Sequence, residues 1–189
     1  MFATLVLAQL LRECAANVDA RTMTAVVRVE SGGNVLALHD NTLRRSFAPA
    51  DNVEAVAWAN QLIRLGHSVD IGLSQINSAN LPGLGIGIGA AFEPCTNLHA
   101  GATILGNDYF SAARTFGPGQ IALRHALGAY NTGSFFAGQG YINQILAAAG
   151  MPPEYGIADA APAAAAAPAH AMYVTRHVAG SPVEIILGK

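Results

Sequence analysis

Short stretches with apolar residues three and four positions apart recur along this sequence, and glycine follows several of them. Residues at that spacing share one face of an α-helix, so each stretch predicts an amphipathic helix. The sequence therefore predicts a series of short helices packed on a shared core. The stretches cover Phe2–Leu11, Thr22–Glu30, Asp51–Ile63, Asn97–Ala113, Gly119–Tyr130 and Tyr141–Ala149.

Glu30 ends the second stretch, in line with the apolar residues Met23, Val26 and Val27, and Asp19 is the predicted N-cap of that stretch. A carboxylate on an apolar stripe is costly to bury, and it stands just before a glycine pair. Desolvation there would raise its pKa, and a carboxylic acid that keeps its proton near neutral pH can act as a general acid. The alternative is a glutamate at the rim whose carboxylate reaches water or a backbone amide. From this stretch alone, both interpretations stay open.

Composition limits the classes of protein that this chain can belong to. Its 189 residues suffice for one sizeable core with a tail, and 52% hydrophobic against 12% charged residues indicates a globular protein. The net charge of -2 and scattered basic residues give no surface for nucleic acid. No apolar run approaches the ~18 residues that cross a bilayer, so we expect no transmembrane segment.

The predicted folded domain covers residues 1–150. Phe2–Leu11 resembles the apolar part of a signal peptide but has no basic residue before it, so we predict the first helix of the mature domain. Residues 151–189 are predicted to be an Ala/Pro-rich linker and a disordered C-terminal tail. Within the tail Val183–Leu187 is β-prone, and the alternative to disorder is a strand donated to a partner.

Three further segments carry local predictions. His39–Pro49 is predicted to be irregular and polar, and Asp70–Asn77 to be a strand or a pinned loop. Pro82–Gly89 is rich in glycine but lies in no βαβ unit, which predicts a connector rather than a nucleotide site.

Cys14 and Cys95 lack metal-ligand spacing, so we expect no metal. They are two buried thiols or one disulfide.

Three short motifs convert Glu30 into a candidate catalytic residue. They are Glu30-Ser31, Gly72-Leu73-Ser74-Gln75-Ile76-Asn77 and Ala129-Tyr130-Asn131-Thr132-Gly133. In this order and spacing they resemble the soluble lytic transglycosylase family of the lysozyme superfamily. His39-Asp40-Asn41, Gly66–Asp70 and Phe92–Leu98 further resemble the branch that cleaves peptidoglycan in type IV secretion systems.

The resemblance covers residues 14 to 147 and implies a fold and an activity. The implied fold is mainly α-helical and lysozyme-like, of the goose-type or soluble lytic transglycosylase class, in a single domain with a flexible tail. The implied enzyme cleaves the bond between N-acetylmuramic acid and N-acetylglucosamine without a cofactor. Glu30 would protonate the glycosidic oxygen and then accept a proton from the muramic 6-hydroxyl, which closes a 1,6-anhydro ring. The family's own pattern assigns no second carboxylate, and Asp40 and Asp70 are the nearest alternatives.

The resemblance also assigns the remaining site residues. Gln75, Asn77, Tyr130, Asn131, Ser74 and His39 are the expected substrate-binding residues. Ser31 is expected to hold local structure, and Ser74 departs from the methionine or phenylalanine common at its position. Trp58 is assigned to the core or to a cleft wall.

The branch implies a context as well as a site. Cys14 and Cys95 match its disulfide pair, and the expected location is the periplasm. The expected partners are peptidoglycan strands and other secretion-system proteins, with the tail as one route to the latter. The alternatives are a glycan-binding assembly scaffold with little activity and a lysozyme-type hydrolase.

Overall fold

The computed structural model describes residues 4–152 and the backbone of two strands at residues 172–175 and 184–187. In this part of the chain, helices dominate, as the resemblance implies. The helices are α1 (Thr4–Cys14), α2 (Ala20–Ser31), α3 (Asn52–Arg64), α4 (Leu81–Leu84), α5 (Ile88–Ala91), α6 (Pro94–Phe116), α7 (Gln120–Thr132) and α8 (Gln139–Ala148). The strands are β1 (Leu38–Asp40), β2 (Arg45–Phe47), β3 (Val69–Ile71), β4 (Ile76–Asn77), β5 (Met172–Thr175) and β6 (Glu184–Leu187).

The chain divides into two compact units, which nothing in the sequence pattern indicated. The first unit consists of Met1–Cys14 and Val26–Gly101, and the second of Ala15–Ala25 and Ala102–Lys189. The predicted boundary at residue 150 remains a prediction. Among the described helices, none is long and apolar enough to cross a membrane.

A four-stranded antiparallel sheet in the order β2-β1-β3-β4 organises the first unit. Its central strands bury Leu38, Val69 and Ile71. Helix α3 begins where the sequence predicts, because the Asp51 side chain accepts a hydrogen bond from the Glu54 backbone N–H. The disulfide between Cys14 and Cys95, with Cα atoms 5.2 Å apart, confirms the implied pairing.

The prediction of an irregular segment at 39–49 is wrong where its residues form two strands. Strands β1 and β2 form a hairpin there, with His39 opposite Ser46 and Asp40 opposite Arg45. Each strand has only three residues, too few for an alternating pattern to stand out. The turn between them also lacks a sequence signal, because its left-handed residue is Arg44 at φ 52° rather than a glycine or asparagine.

The glycine-rich connector at 82–89 is more ordered than predicted. Helices α4 and α5 each contribute a single turn to this region, and Gly85 ends α4 in the left-handed conformation at φ 67°. The segment lies between β4 and α6, as expected for a connector.

In the second unit, helices α7 and α8 and the part of α6 from Ala102 onward bury apolar residues at the predicted helical spacing, among them Leu105, Leu123 and Leu127. Asp19 lies directly before α2. Its side chain accepts hydrogen bonds from the backbone N–H groups of Arg21 and Thr22, which confirms Asp19 as the N-cap of α2.

The β-prone piece of the tail is a strand that pairs within the chain. β6 pairs antiparallel with β5, with Met172 opposite Leu187 and Thr175 opposite Glu184. The remainder of the predicted disordered tail lies outside the described residues.

Candidate active site

Glu30 lines a cleft of about 210 Å³ in the first unit. Two of the predicted substrate-binding residues, His39 and Gln75, line the same cleft, although they are 36 positions apart in sequence. Glu30 contributes the only carboxylate among the residues that line it. These residues are Glu30, Ser31, Asn34, Ala37, Leu38, His39, Ser46, Phe47 and Gln75.

The end of α2 sets the position of Glu30. Val26 and Val27 are fully buried one turn before it, whereas Glu30 itself is half-buried. The helix ends directly after Ser31, because Gly32 and Gly33 adopt the left-handed conformation at φ 60° and 80°. The carboxylate therefore stands at the edge of the core, where it has access to the cleft.

Ser31 holds the helix end against the motif that contains Gln75. Its Oγ atom lies 2.8 Å from the Leu73 carbonyl oxygen and 3.1 Å from the Val27 carbonyl oxygen. It also accepts a hydrogen bond from the Gly33 N–H group. This is the local structural role that the resemblance implied for Ser31.

A tight turn over residues 72–75, closed by a hydrogen bond from the Gln75 N–H to the Gly72 carbonyl oxygen, carries Gln75 to the cleft. Gly72 adopts φ 75°, and a Cβ atom there would lie 2.4 Å from Nδ2 of Asn97 and 2.9 Å from the Ala91 carbonyl oxygen. Only glycine fits at this close approach. Gln75 is also left-handed, at φ 46°, and its Nε2 atom donates to the carbonyl oxygens of Gly72 and Ala37.

Asn97 fixes this turn, and the sequence analysis did not assign it a role. Its side chain is fully buried in the first turn of α6. Nδ2 donates to the carbonyl oxygens of Ile71 (2.8 Å) and Ala91 (2.7 Å), and Oδ1 accepts from the Ser74 N–H group (2.7 Å). A buried amide with three partners specifies backbone geometry, which here is the geometry that presents Gln75.

Two of the expected substrate-binding residues in the first unit, Ser74 and Asn77, do not line the cleft. Ser74 is 0% exposed, so its side chain is not presented to a ligand in this conformation. Asn77 donates through Nδ2 to Ser68 and Asp70 and accepts from the Ala79 N–H group. Both residues support the turn and the β3–β4 pair.

His39 faces the cleft from β1. Its Nδ1 atom lies 3.0 Å from Oγ of Ser46 on β2, a bond between cross-strand partners. The hairpin that the sequence analysis missed therefore brings His39, Ser46 and Phe47 to the cleft. No sequence pattern marked Ser46 or Phe47 as site residues.

The two alternative carboxylates are held in other interactions. Asp40 is fully buried and lies 2.6 Å from Nδ1 of His67. Burial acts to raise the pKa of Asp40, but hydrogen bonds from His67 and from the N–H groups of Leu43 and Thr42 outweigh it and hold that pKa below its usual value. Asp70 accepts hydrogen bonds from the side chains of Asn41 and Asn77. Neither aspartate lines the cleft.

Tyr130 and Asn131 lie at the end of α7 in the second unit. Tyr130 is half-buried and Asn131 is exposed. The helix ends at Gly133, which is left-handed at φ 73° and donates its N–H to the Ala129 carbonyl oxygen. Participation of these two residues in a site with Glu30 remains a prediction.

Among the described residues, no group of three or more His, Cys, Asp or Glu side chains is arranged to hold a metal ion. The chemistry available at the cleft is that of one carboxylate with a histidine, a glutamine, an asparagine and two serines nearby. Such a set can exchange protons and form hydrogen bonds with hydroxyl and amide groups.

Comparison with known proteins gives a family and several relatives. Residues 10–143 match the family described as Transglycosylase SLT domain. The chain is 39% identical over 140 residues to the protein virB1 of Agrobacterium fabrum, which is 73% of this chain and 57% of the relative. It is 37% identical over 153 residues to the type IV secretion system protein virB1 of Brucella abortus biovar 1, which is 77% of this chain and 63% of the relative. The chain thus spans about three fifths of these relatives, and no solved structure matches it.

Proposed function

This chain belongs to the Transglycosylase SLT domain family, whose fold is lysozyme-like, and from that premise we propose that it is a peptidoglycan lytic transglycosylase with Glu30 as its acid and base. The observation that carries the proposal is the single carboxylate in the cleft lining of the first unit. Hydrolytic glycosidases generally use two carboxylates, one as acid and one as nucleophile or base. Asp40 and Asp70, the alternatives in this unit, are held by His67 and by two asparagines.

One carboxylate suffices when the substrate supplies its own nucleophile. Protonated Glu30 donates its proton to the oxygen that links N-acetylmuramic acid to N-acetylglucosamine, and the bond from that oxygen to the anomeric carbon breaks. The muramic 6-hydroxyl oxygen then bonds to the anomeric carbon and returns its proton to Glu30. Glu30 thus regains the proton that it donated, no water is consumed, and the muramic residue becomes a 1,6-anhydro sugar. The substrate's N-acetyl group stabilises the developing positive charge.

The other cleft residues bind and position the strand. His39 and Gln75 present polar atoms to the cleft, and Gln75 is held there by the turn that Asn97 fixes. We assign Ser74 and Asn77 to support of this turn, because Ser74 is buried and Asn77 is bonded to Ser68 and Asp70.

The relatives supply the proposed context. Because one of them is named as a type IV secretion system protein, we propose that this enzyme opens the cell wall for assembly of such a system. Its substrate then places it in the periplasm, and its partners are peptidoglycan strands and other proteins of the system.

Digestion of purified peptidoglycan by wild type and Glu30→Gln tests the proposed reaction. Mass spectrometry of the released muropeptides should show anhydro ends with the wild type, and a rate about a thousandfold lower with Glu30→Gln, as expected when a general acid is lost. Glu13→Gln is the matched control, since Glu13 is exposed on α1 and accepts a hydrogen bond from the Gln9 side chain. Stability of Glu30→Gln should stay within about 1 kcal/mol of wild type.

Each rival function predicts a different product. Reducing ends in place of anhydro ends would establish a lysozyme-type hydrolase. Binding to the wall without release of muropeptides would establish an assembly scaffold. Either result refutes the transglycosylase proposal.

A further inference from the structure

A second cavity, of about 300 Å³, lies in the first unit beside the Glu30 cleft. Arg45, Phe47, Trp58, Gln61 and Leu62 line it. Phe47 also lines the Glu30 cleft, so one aromatic ring borders both cavities. The two cavities therefore adjoin at the Phe47 ring.

Two aromatic rings form the apolar wall of this cavity. The ring centroids of Phe47 and Trp58 are 5.6 Å apart at an angle of 65°, an edge-to-face arrangement that fixes both rings. Both side chains are half-buried, so each keeps part of its surface open. Such a wall suits methyl groups and the apolar faces of sugars.

Arg45 brings a positive charge to the cavity. Its guanidinium carbon lies 5.1 Å from the centre of the Phe47 ring, a cation–π contact that orients the exposed side chain. Its cross-strand partner Asp40 is bonded to His67 instead. Among the described residues, no carboxylate lies within ion-pair distance of Arg45. An oriented guanidinium without a carboxylate partner is suited to bind an anion, and a carboxylate best of all.

Gln61 adds a neutral hydrogen-bonding group. Trp58, Gln61 and Leu62 are three and four residues apart on α3, so one helix face carries them all toward the cavity. The Gln61 side chain is exposed, and its amide can pair with a peptide group. The cavity thus offers a cation, an amide and an apolar wall together.

Resting on the proposed function, we propose that this cavity binds the carboxylate-bearing substituent at the 3-position of a muramic residue, while the glycan strand occupies the Glu30 cleft. That substituent is a lactyl group, either with its free carboxylate or extended by a peptide stem that carries carboxylates of its own. In both forms the carboxylate pairs with Arg45 and a methyl group packs on Phe47 and Trp58. N-acetylglucosamine has no such group, so the cavity distinguishes the two sugars of the alternating strand and selects the muramic residue for the position next to Glu30.

Binding measurements test this subsite independently of cleavage. Soluble oligosaccharides of alternating N-acetylglucosamine and N-acetylmuramic acid are titrated calorimetrically into Glu30→Gln protein in three forms: with peptide stems, with free lactyl carboxylates, and with the lactyl carboxylates amidated. The readout is the ratio of the Kd for the amidated form to the Kd for each acidic form. Arg45→Gln, Arg45→Lys and Arg12→Gln are each compared in that background, and Arg12 is an exposed arginine on α1 that lines neither cavity.

We expect Arg45→Gln to lower this ratio about fivefold, the size of effect typical of a partly exposed charge pair, and Arg45→Lys to lower it less. Arg12→Gln should leave it unchanged. If Arg45→Gln lowers the ratio for only one acidic form, that form identifies whether Arg45 binds the lactyl carboxylate or a carboxylate of the peptide stem. An unchanged ratio in Arg45→Gln, or an equal fall in Arg12→Gln, overturns the subsite. Absence of anhydro products in the digestion experiment would instead refute the proposed reaction and leave this binding result intact.

Discussion

Replacing Asn97 with alanine is expected to destabilise the protein by about 3 kcal/mol. The substitution removes three hydrogen bonds of 2.7 to 2.8 Å, each worth about 1 kcal/mol net. It also leaves the carbonyl oxygens of Ile71 and Ala91 and the N–H of Ser74 without that partner in the core. For a chain of this length, such a loss corresponds to a fall in the thermal midpoint of about 9 °C.

The assay is denaturant unfolding followed by circular dichroism, with peptidoglycan cleavage measured on the same samples. Asn80→Ala is the matched control, because Asn80 is exposed and its side chain makes no capping hydrogen bond. Cleavage by Asn97→Ala should fall even at temperatures where the protein stays folded, since the turn that presents Gln75 loses its support. A destabilisation below 1 kcal/mol, or cleavage equal to that of Asn80→Ala, would refute the assignment of Asn97 to this turn.

Three further predictions concern other parts of the chain. The double variant Cys14→Ala/Cys95→Ala should lose roughly 4 kcal/mol of stability in urea unfolding, because the bond closes a long loop, with a separation of 81 residues; stability equal to that of oxidised wild type would contradict this. Burial raises the pKa of Asp108 to about 6, above its unfolded value of 3.8, so the folded state binds its proton more tightly and wild type should lose stability as pH rises from about 4 to 6. Asp108→Asn should remove that dependence and gain about 1 kcal/mol at pH 7 after allowance for partial exposure, which thermal scans across this pH range would detect. Removal of residues 151–189 should leave peptidoglycan cleavage unchanged, and a loss of activity would show that the domain extends beyond Gly150.

The sequence predicted the elements whose signals are local. Helix α2 begins after its Asp19 cap and ends at a glycine pair, and α3 begins at its Asp51 cap. In both cases the residues that start or stop the helix are neighbours in sequence. The β1–β2 hairpin was missed because its strands are short and its turn places Arg44 in a conformation usual for glycine.

The site was predictable only in part for a related reason. Glu30 and Gln75 belong to recognisable motifs, but the supports around them are contacts between distant segments. Asn97 bonds Ile71 across 26 positions, and Ser31 bonds Leu73 across 42. No periodicity or spacing in a single sequence marks an amide that acts over such a separation. The same holds for Phe47, whose place between two cavities follows from the hairpin alone.

Cys95 stands two residues before Asn97, in the same first turn of α6. The disulfide to Cys14 therefore anchors the helical turn that carries Asn97, whose side chain is hydrogen-bonded to the backbone of Ile71 and Ser74. Oxidation of the two cysteines is thus linked to the Glu30 cleft through α6, the Asn97 side chain and the turn that carries Gln75. In a molecule whose cysteines are reduced, we expect this turn to lose the anchor that the disulfide gives to α6.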